Sequence, residues 1–133
     1  MKYLLDTNTC IRYINGRSLE IRLKLPTIPA RDIVVCSIVR AELFYGAAKS
    51  RTPAQSLEKQ ARFLRPYATL TFDDSAADEF GRIRAYLERN GTPIGPYDMQ
   101  IAAIALVHGL IVVTHNTSEF GRINGLKLED WEI

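Results

Sequence analysis

Cysteine is scarce: Cys10 and Cys36 are the only two in 133 residues. Each sits in an apolar context, with no Cys-x-x-Cys pair and no Cys/His spacing of a metal clip. A disulfide scaffold and a structural zinc finger are thereby excluded. Long apolar runs are lacking too. The longest, Ile101 to Val107, is far too short to cross a bilayer. The opening Met1-Lys2-Tyr3-Leu4-Leu5-Asp6 meets a charge too early for a secretory leader. A cytoplasmic chain with no membrane partner is expected. No Gly-x-Gly-x-x-Gly and no P-loop motif occurs, which removes nucleotide-cradling readings. Repeats and low-complexity segments are missing as well. What remains is an ordinary globular composition, 47% hydrophobic and 24% charged, and the length suits a single domain over residues 1–133.

Short β-branched runs alternate with helical periods. Lys2 to Leu5, Ile33 to Cys36, Leu70-Thr71-Phe72, Leu110 to Val113 and Leu126-Lys127-Leu128 read as strands. Thr7 or Asn8 can cap a helix through Ile14, stopped by Asn15-Gly16. Ser37 can cap a second helix. Thr52-Pro53 opens a third, with Leu57, Ala61 and Leu64 on one face. Asp74 or Ser75 can cap a fourth, which carries Ala76, Phe80, Ile83 and Leu87 at helical spacing and closes at Asn90-Gly91. A fifth starts at Pro96 and ends at Gly109. Strands alternating with helices predict βαβ units and an α/β fold, a short, mostly parallel central sheet covered on both faces. The strands are unbroken apolar runs, as buried parallel strands should be.

Such sheets place their sites beyond the carboxyl ends of the strands. Asp6 ends the first strand. Glu42 lies one turn into the helix after the second, and Asp98 lies in the first turn of the helix from Pro96. Thr114-His115-Asn116 follows Val113, with Glu119 three residues on. Singly, each has a plainer explanation. Asp6 suits a helix cap and Glu42 a surface position. Asp98 suits a helix N-terminus, and Asn116 and Glu119 suit a turn. Together they are three or four carboxyl groups converging on one sheet edge, which stay ionised side by side only if a cation neutralises them. All-oxygen donors with few histidines favour Mg²⁺ or Mn²⁺ over Zn²⁺. Such an ion would activate a water for attack on a phosphodiester.

Four segments in order carry a resemblance: Leu4-Leu5-Asp6-Thr7-Asn8, Ala41-Glu42-Leu43-Phe44-Tyr45-Gly46, Pro93-Ile94-Gly95-Pro96-Tyr97-Asp98, and Val113-Thr114-His115-Asn116-Thr117-Ser118-Glu119-Phe120. The set resembles the motifs of PIN-domain ribonucleases, and more narrowly the VapC toxins of bacterial VapBC toxin–antitoxin pairs. The similarity runs to Leu128-Glu129-Asp130-Trp131, essentially the whole chain. It implies a three-layer α/β/α sandwich and a Mg²⁺- or Mn²⁺-dependent endoribonuclease, with tRNA fitting as substrate and mRNA and rRNA open. It also implies a homodimer, inhibited by a VapB-like antitoxin within a complex on operator DNA. The family's core metal-binding acids fall on Asp6, Glu42 and Asp98. The fourth acidic position is Asn116 here, an amide that brings no charge, and Glu119 is near enough in sequence to supply the missing carboxylate. Thr7, Asn8 and Thr114 match positions that hydrogen-bond around the metal or the phosphate.

Charge is unevenly spread. Residues 1–66 hold twelve Lys/Arg against five Asp/Glu, and residues 67–133 five against ten. Arg12, Arg17, Arg40, Lys49 and Arg51 lie in or beside the site-bearing segments and are candidates for phosphate contacts, or plain solvated charges. Tyr45 and Tyr97 adjoin two of the acids and suit base stacking or packing. His115 suits a proton carrier or a local hydrogen bond. The amphipathic helix after Thr52 carries no site acid; in a toxin of this type, a groove among these helices would accept an antitoxin segment. Two other functions compete. A phosphatase with an Asp-x-Asp motif would need an acid where Asn8 stands, and a binding module with vestigial acids would not bind Mg²⁺ or Mn²⁺.

Overall fold

The computed structural model describes residues 1–133 throughout. Five short strands make its centre: β1 (Tyr3–Leu5), β2 (Ile33–Cys36), β3 (Ala68–Leu70), β4 (Ile111–Val113) and β5 (Lys127–Glu129), ordered β3-β2-β1-β4-β5. All four pairings are parallel, so the expected mostly parallel sheet is wholly so. Leu4 sits between Val34 and Val112 in register. Leu4, Leu5, Val35 and Val113 are fully buried, which is why these strands read as unbroken apolar runs rather than alternating ones.

From β1 the chain steps outward to β2 and β3, then returns across the sheet to β4 and β5. Right-handed crossovers in opposite directions send their helices to opposite faces, which makes three layers. Helix α1 (Thr7–Ile14) and α2 (Leu19–Lys24) lie between β1 and β2 in the chain. Helices α3 (Ser37–Ala48) and α4 (Pro53–Leu64) follow β2, α5 (Asp74–Arg89) and α6 (Pro96–His108) follow β3, and the single turn α7 (Thr117–Phe120) follows β4. The direction of travel reverses between β1 and β4. Ligands in such sheets bind at that reversal, beyond the strand C-termini.

Helix α6 is apolar nearly all round, and Ile101 to Ala105 are all fully buried. Pro96 pre-sets its first turn, and Gly109, at φ 65°, stops it in a left-handed conformation that a β-carbon disfavours. One apolar core joins α6 to the strands, Leu43 of α3, Leu87 of α5, and Phe120 and Trp131 near the C-terminus. No helix is long and apolar enough to cross a membrane.

Several local expectations shift. The third strand is Ala68–Leu70, not Leu70–Phe72, because Ala68 and Leu70 register with Val34 and Cys36; Phe72 instead packs edge-on against Phe80, ring centroids 6.0 Å apart. The last strand is one residue later than expected, and β1 and β4 each start one residue later. Asp73, not Asp74 or Ser75, caps α5 by accepting the Ala76 N–H at 3.0 Å. Ser37 is already helical, with Cys36 at the cap position. Thr7 and Asn8 are likewise inside α1, whose cap is Asp6. The capped helix α2, begun by Ser18, has no counterpart in the sequence reading.

Candidate active site

Asp6 leaves β1 at the topological reversal. Its backbone N–H donates to Val113 O at 3.1 Å, continuing the sheet for one residue beyond the strand. Its carboxylate then turns back and accepts the Thr9 N–H at 2.8 Å, capping α1. The group is 5% exposed. Burial pushes its carboxyl up, while hydrogen bonding from Thr114 and Thr9 pulls it back towards the charged form. Thr9 also donates to Val113 O at 3.2 Å, tying α1 to the end of β4. The plain role of helix cap and the place at the strand edge thus coexist in one side chain. Thr9 is a contributor that the sequence reading passed over; its signal was its position three residues after a capping acid.

Glu42 reaches the same edge from α3, where the Thr7 hydroxyl donates to its Oε1 at 2.6 Å. Asp98 arrives from the first turn of α6 and is half-buried. Its carboxyl is pushed up to about 6, first by burial and then by the negative charges of Asp6, Glu42 and Glu119. Three acids from three other segments therefore act on Asp98. Glu119 sits on α7, held by the Asn116 side-chain N–H₂ at 3.0 Å, while the Asn116 backbone N–H donates to Thr114 Oγ1 at 2.9 Å. Asn116 thus presents its amide nitrogen to Glu119, whose carboxylate lies near enough to raise Asp98. Thr114 is 1% exposed and shared between the Asp6 side and the Asn116 turn.

No Lys, Arg or His pairs with Asp6, Glu42, Asp98 or Glu119. A buried or half-buried carboxylate cluster without a cationic partner fits a hard divalent cation, and all its donors are oxygens.

The basic candidates are placed otherwise. Arg40 is two residues before Glu42, so it points about 200° away round the helix, and its guanidinium donates to Thr69 Oγ1 at 3.3 Å. It is not gathered with the acids. Arg12 is paired with Glu132 at 2.7 Å. Lys49 lies over the Tyr45 ring, 4.7 Å from its centroid. Tyr97 is 57% exposed beside Asp98, and Asn8 is exposed beside Thr7. His115 makes its hydrogen bond not within its own loop but across to the turn after β5, with Asp130 Oδ2 2.8 Å from its Nδ1. Cys10 and Cys36 are buried, and burial pushes both thiols up, as suits apolar fillers.

A groove of about 310 Å³ runs beside Glu42. Ile11 and Ile14 of α1, Leu43, Gly46 and Ala47 of α3, and Lys59 of α4 line it, with Glu42 in its wall.

The PIN domain family model matches residues 3–126. A relative from Salmonella typhimurium, the "tRNA(fMet)-specific endonuclease VapC", is 44% identical over 131 residues, covering 98% of both chains. The crystal structure of DNA-bound VapBC from Salmonella typhimurium superposes with a TM-score of 0.93 at 44% identity, again over 98% of both chains. VapBC2 from Rickettsia felis, bound to a DNA fragment from its promoter, gives a TM-score of 0.91 at 36% identity over 98% of this chain and 99% of that one.

Proposed function

The chain belongs to the PIN domain family, among its VapC ribonucleases, and from that premise we propose that residues 1–133 act as a single PIN-like domain and toxin endoribonuclease that cuts tRNA with the help of Mg²⁺ or Mn²⁺. The observation that carries the reading is the meeting of Asp6, Glu42, Asp98 and Glu119 at the sheet reversal with no cationic side chain among them. The tRNA assignment is supported by the name of the Salmonella relative, and tRNA(fMet) is the substrate to test first.

The four carboxylates are the groups that would hold the cation. When bound, it would neutralise their mutual repulsion, acidify a nearby water and offset charge building on a scissile phosphate. The chain's own contribution is orientation. Thr7 fixes one oxygen of Glu42, Asn116 fixes one oxygen of Glu119, and the Thr9 N–H fixes Asp6. Thr7 and Asn116 each leave the other oxygen of Glu42 and Glu119 without a protein donor, the outer-layer arrangement that holds a cation site in shape. Tyr97 and Asn8, exposed at the rim, are suited to touch the RNA.

The VapBC complexes among its structural neighbours, two of them bound to DNA, support a VapB-like antitoxin as partner; the homodimer that would carry it on operator DNA is part of the proposal. The groove between α1, α3 and α4 offers Ile11, Ile14, Leu43 and Ala47 to an apolar face of an antitoxin helix, among polar Asn15, Ser50, Ser56 and Gln60. Because Glu42 stands in its wall, a basic antitoxin side chain laid along the groove would reach the acids and compete with the cation.

Sequencing RNA ends from cells that express the wild type or Asp6→Ala tests the nuclease reading. Wild type is expected to yield a discrete set of new 5′-phosphate ends in tRNA that Asp6→Ala lacks. Equal ends in both, or 2′,3′-cyclic phosphate ends that persist in EDTA, would overturn it.

A further inference from the structure

Behind Asp6, the C-terminal turn gathers a second and chemically different set of donors. Asp130 and Glu132 follow β5, and His115 follows β4. The side chains of Asp130 and Glu132 are only 10% and 9% exposed. Each carboxylate has one oxygen committed to a protein donor: Asp130 Oδ1 accepts the Glu132 N–H at 2.9 Å, and Glu132 Oε1 accepts the Arg12 guanidinium at 2.7 Å. The other oxygens both face His115. Asp130 Oδ2 is 2.8 Å from His115 Nδ1, and Glu132 Oε2 is 3.9 Å from the same nitrogen. Glu132 Oε2 is buried and has no hydrogen-bond partner.

A buried carboxylate oxygen without a partner is costly, and a cation placed between it and its neighbours would offset that cost. Ligand atoms, one each from His115, Asp130 and Glu132, lie within 4.8 Å of one another, close enough for one ion to draw them in with small side-chain rotations. The geometry points to a second divalent-metal site formed by His115, Asp130 and Glu132, taking a borderline ion of the zinc class.

The choice of ion follows from the donors. One imidazole nitrogen with two carboxylate oxygens suits Zn²⁺ and its neighbours in the first transition row, whereas Mg²⁺ prefers an all-oxygen shell. His115 is 53% exposed on its side chain, which leaves room for water to complete the coordination. Arg12 and the Glu132 backbone N–H hold the two carboxylates from outside, as the outer layer of a metal site does. The Asp6–Glu42–Asp98–Glu119 cluster has no nitrogen donor, so the two sites differ in the ion they select.

The site would cross-link three segments. His115 stands between Thr114 and Asn116, Asp130 and Glu132 sit on the C-terminal turn, and Arg12 ties Glu132 to α1. A bound ion would therefore clamp the Thr114–Asn116 loop against the chain end. This inference does not depend on the nuclease reading.

The test is Zn²⁺ titration by calorimetry of the full chain, stripped with EDTA, in an Asp6→Asn/Asp98→Asn background that cripples the all-oxygen cluster. One equivalent of Zn²⁺ is expected to bind, to raise the melting temperature, and to resist competition by excess Mg²⁺. Adding His115→Ala is expected to weaken binding at least about a hundredfold, and Glu132→Gln about tenfold or more. Melting of the metal-free variants monitors their folding, and Glu132→Gln keeps the oxygen that Arg12 uses. Absence of Zn²⁺ binding in the double variant, or binding that survives both substitutions, would overturn the assignment.

Discussion

Asp98 shows how far a single residue's chemistry is set by its neighbours. Its carboxyl lies at about 6, against an ordinary value of 3.8. Because the folded value is raised, folding holds the proton more tightly than the unfolded chain does. The contribution is fully present below pH 3.8 and is lost as the pH rises through 6. Metal-free protein is therefore expected to lose thermal stability across that window, and added Mn²⁺ to restore it above pH 6. Asp98→Asn should abolish RNA cleavage, flatten that pH dependence, and raise metal-free stability at neutral pH by about 1 kcal/mol after allowance for solvent screening. Melting curves from pH 4 to 8, with and without Mn²⁺, check the stability changes, and cleavage of one RNA substrate checks the loss of activity. In the wild type, Mn²⁺ affinity should fall about tenfold per pH unit below 6, where a proton competes for the same oxygen. Thr7→Val keeps the shape of the side chain and removes only its donor to Glu42. It is expected to lower cleavage roughly tenfold or more with little change in stability, read as kcat/KM on one RNA substrate.

Elements decide which of these residues can meet. Helix α3 presents Glu42 and, one turn on, Gly46 to the same groove, and a β-carbon at Gly46 would touch nothing within 4 Å. Gly46→Leu should therefore stabilise α3 by up to about 1 kcal/mol through helix propensity. It should also fill the groove and weaken a VapB-like antitoxin more than tenfold, measured by co-purification and calorimetry. Gly121 behaves oppositely. A β-carbon there would lie 2.6 Å from Thr117 O, so the turn that closes α7 must open to admit it. Gly121→Ala is expected to destabilise the fold by about 1 kcal/mol or more and to displace Glu119, lowering Mn²⁺ affinity. The helices themselves were largely legible in the sequence, since Pro96, Gly109, Thr52-Pro53 and Asn90-Gly91 are punctuation that works locally. The third strand was not. An apolar triplet at Leu70–Phe72 looks like a strand in isolation, but pairing with Val34–Cys36 selects Ala68–Leu70 and leaves Phe72 to the α5 side.

At the scale of the whole molecule, four segments spread from Asp6 to Glu119 meet because the chain reverses direction between β1 and β4. Local sequence settled a good deal of that. Apolar runs too short for a membrane and too continuous for a one-sided sheet set the α/β class, and acids placed just after those runs marked the edge where chemistry would lie. These are properties of periodicity and of residue type, which act over a few positions. Tertiary structure alone decided the rest. It set the Asn116 amide against Glu119, because a hydrogen bond at 3.0 Å depends on how a single-turn helix docks. It turned Arg40 away towards Thr69 and engaged Arg12 with Glu132, 120 positions along the chain. It also brought His115 against Asp130 and Glu132, an encounter between two strand ends that no local pattern encodes. Spacing along the chain determines which face a side chain occupies; which groups then share a dielectric, and so shift one another's charge, is set only by packing.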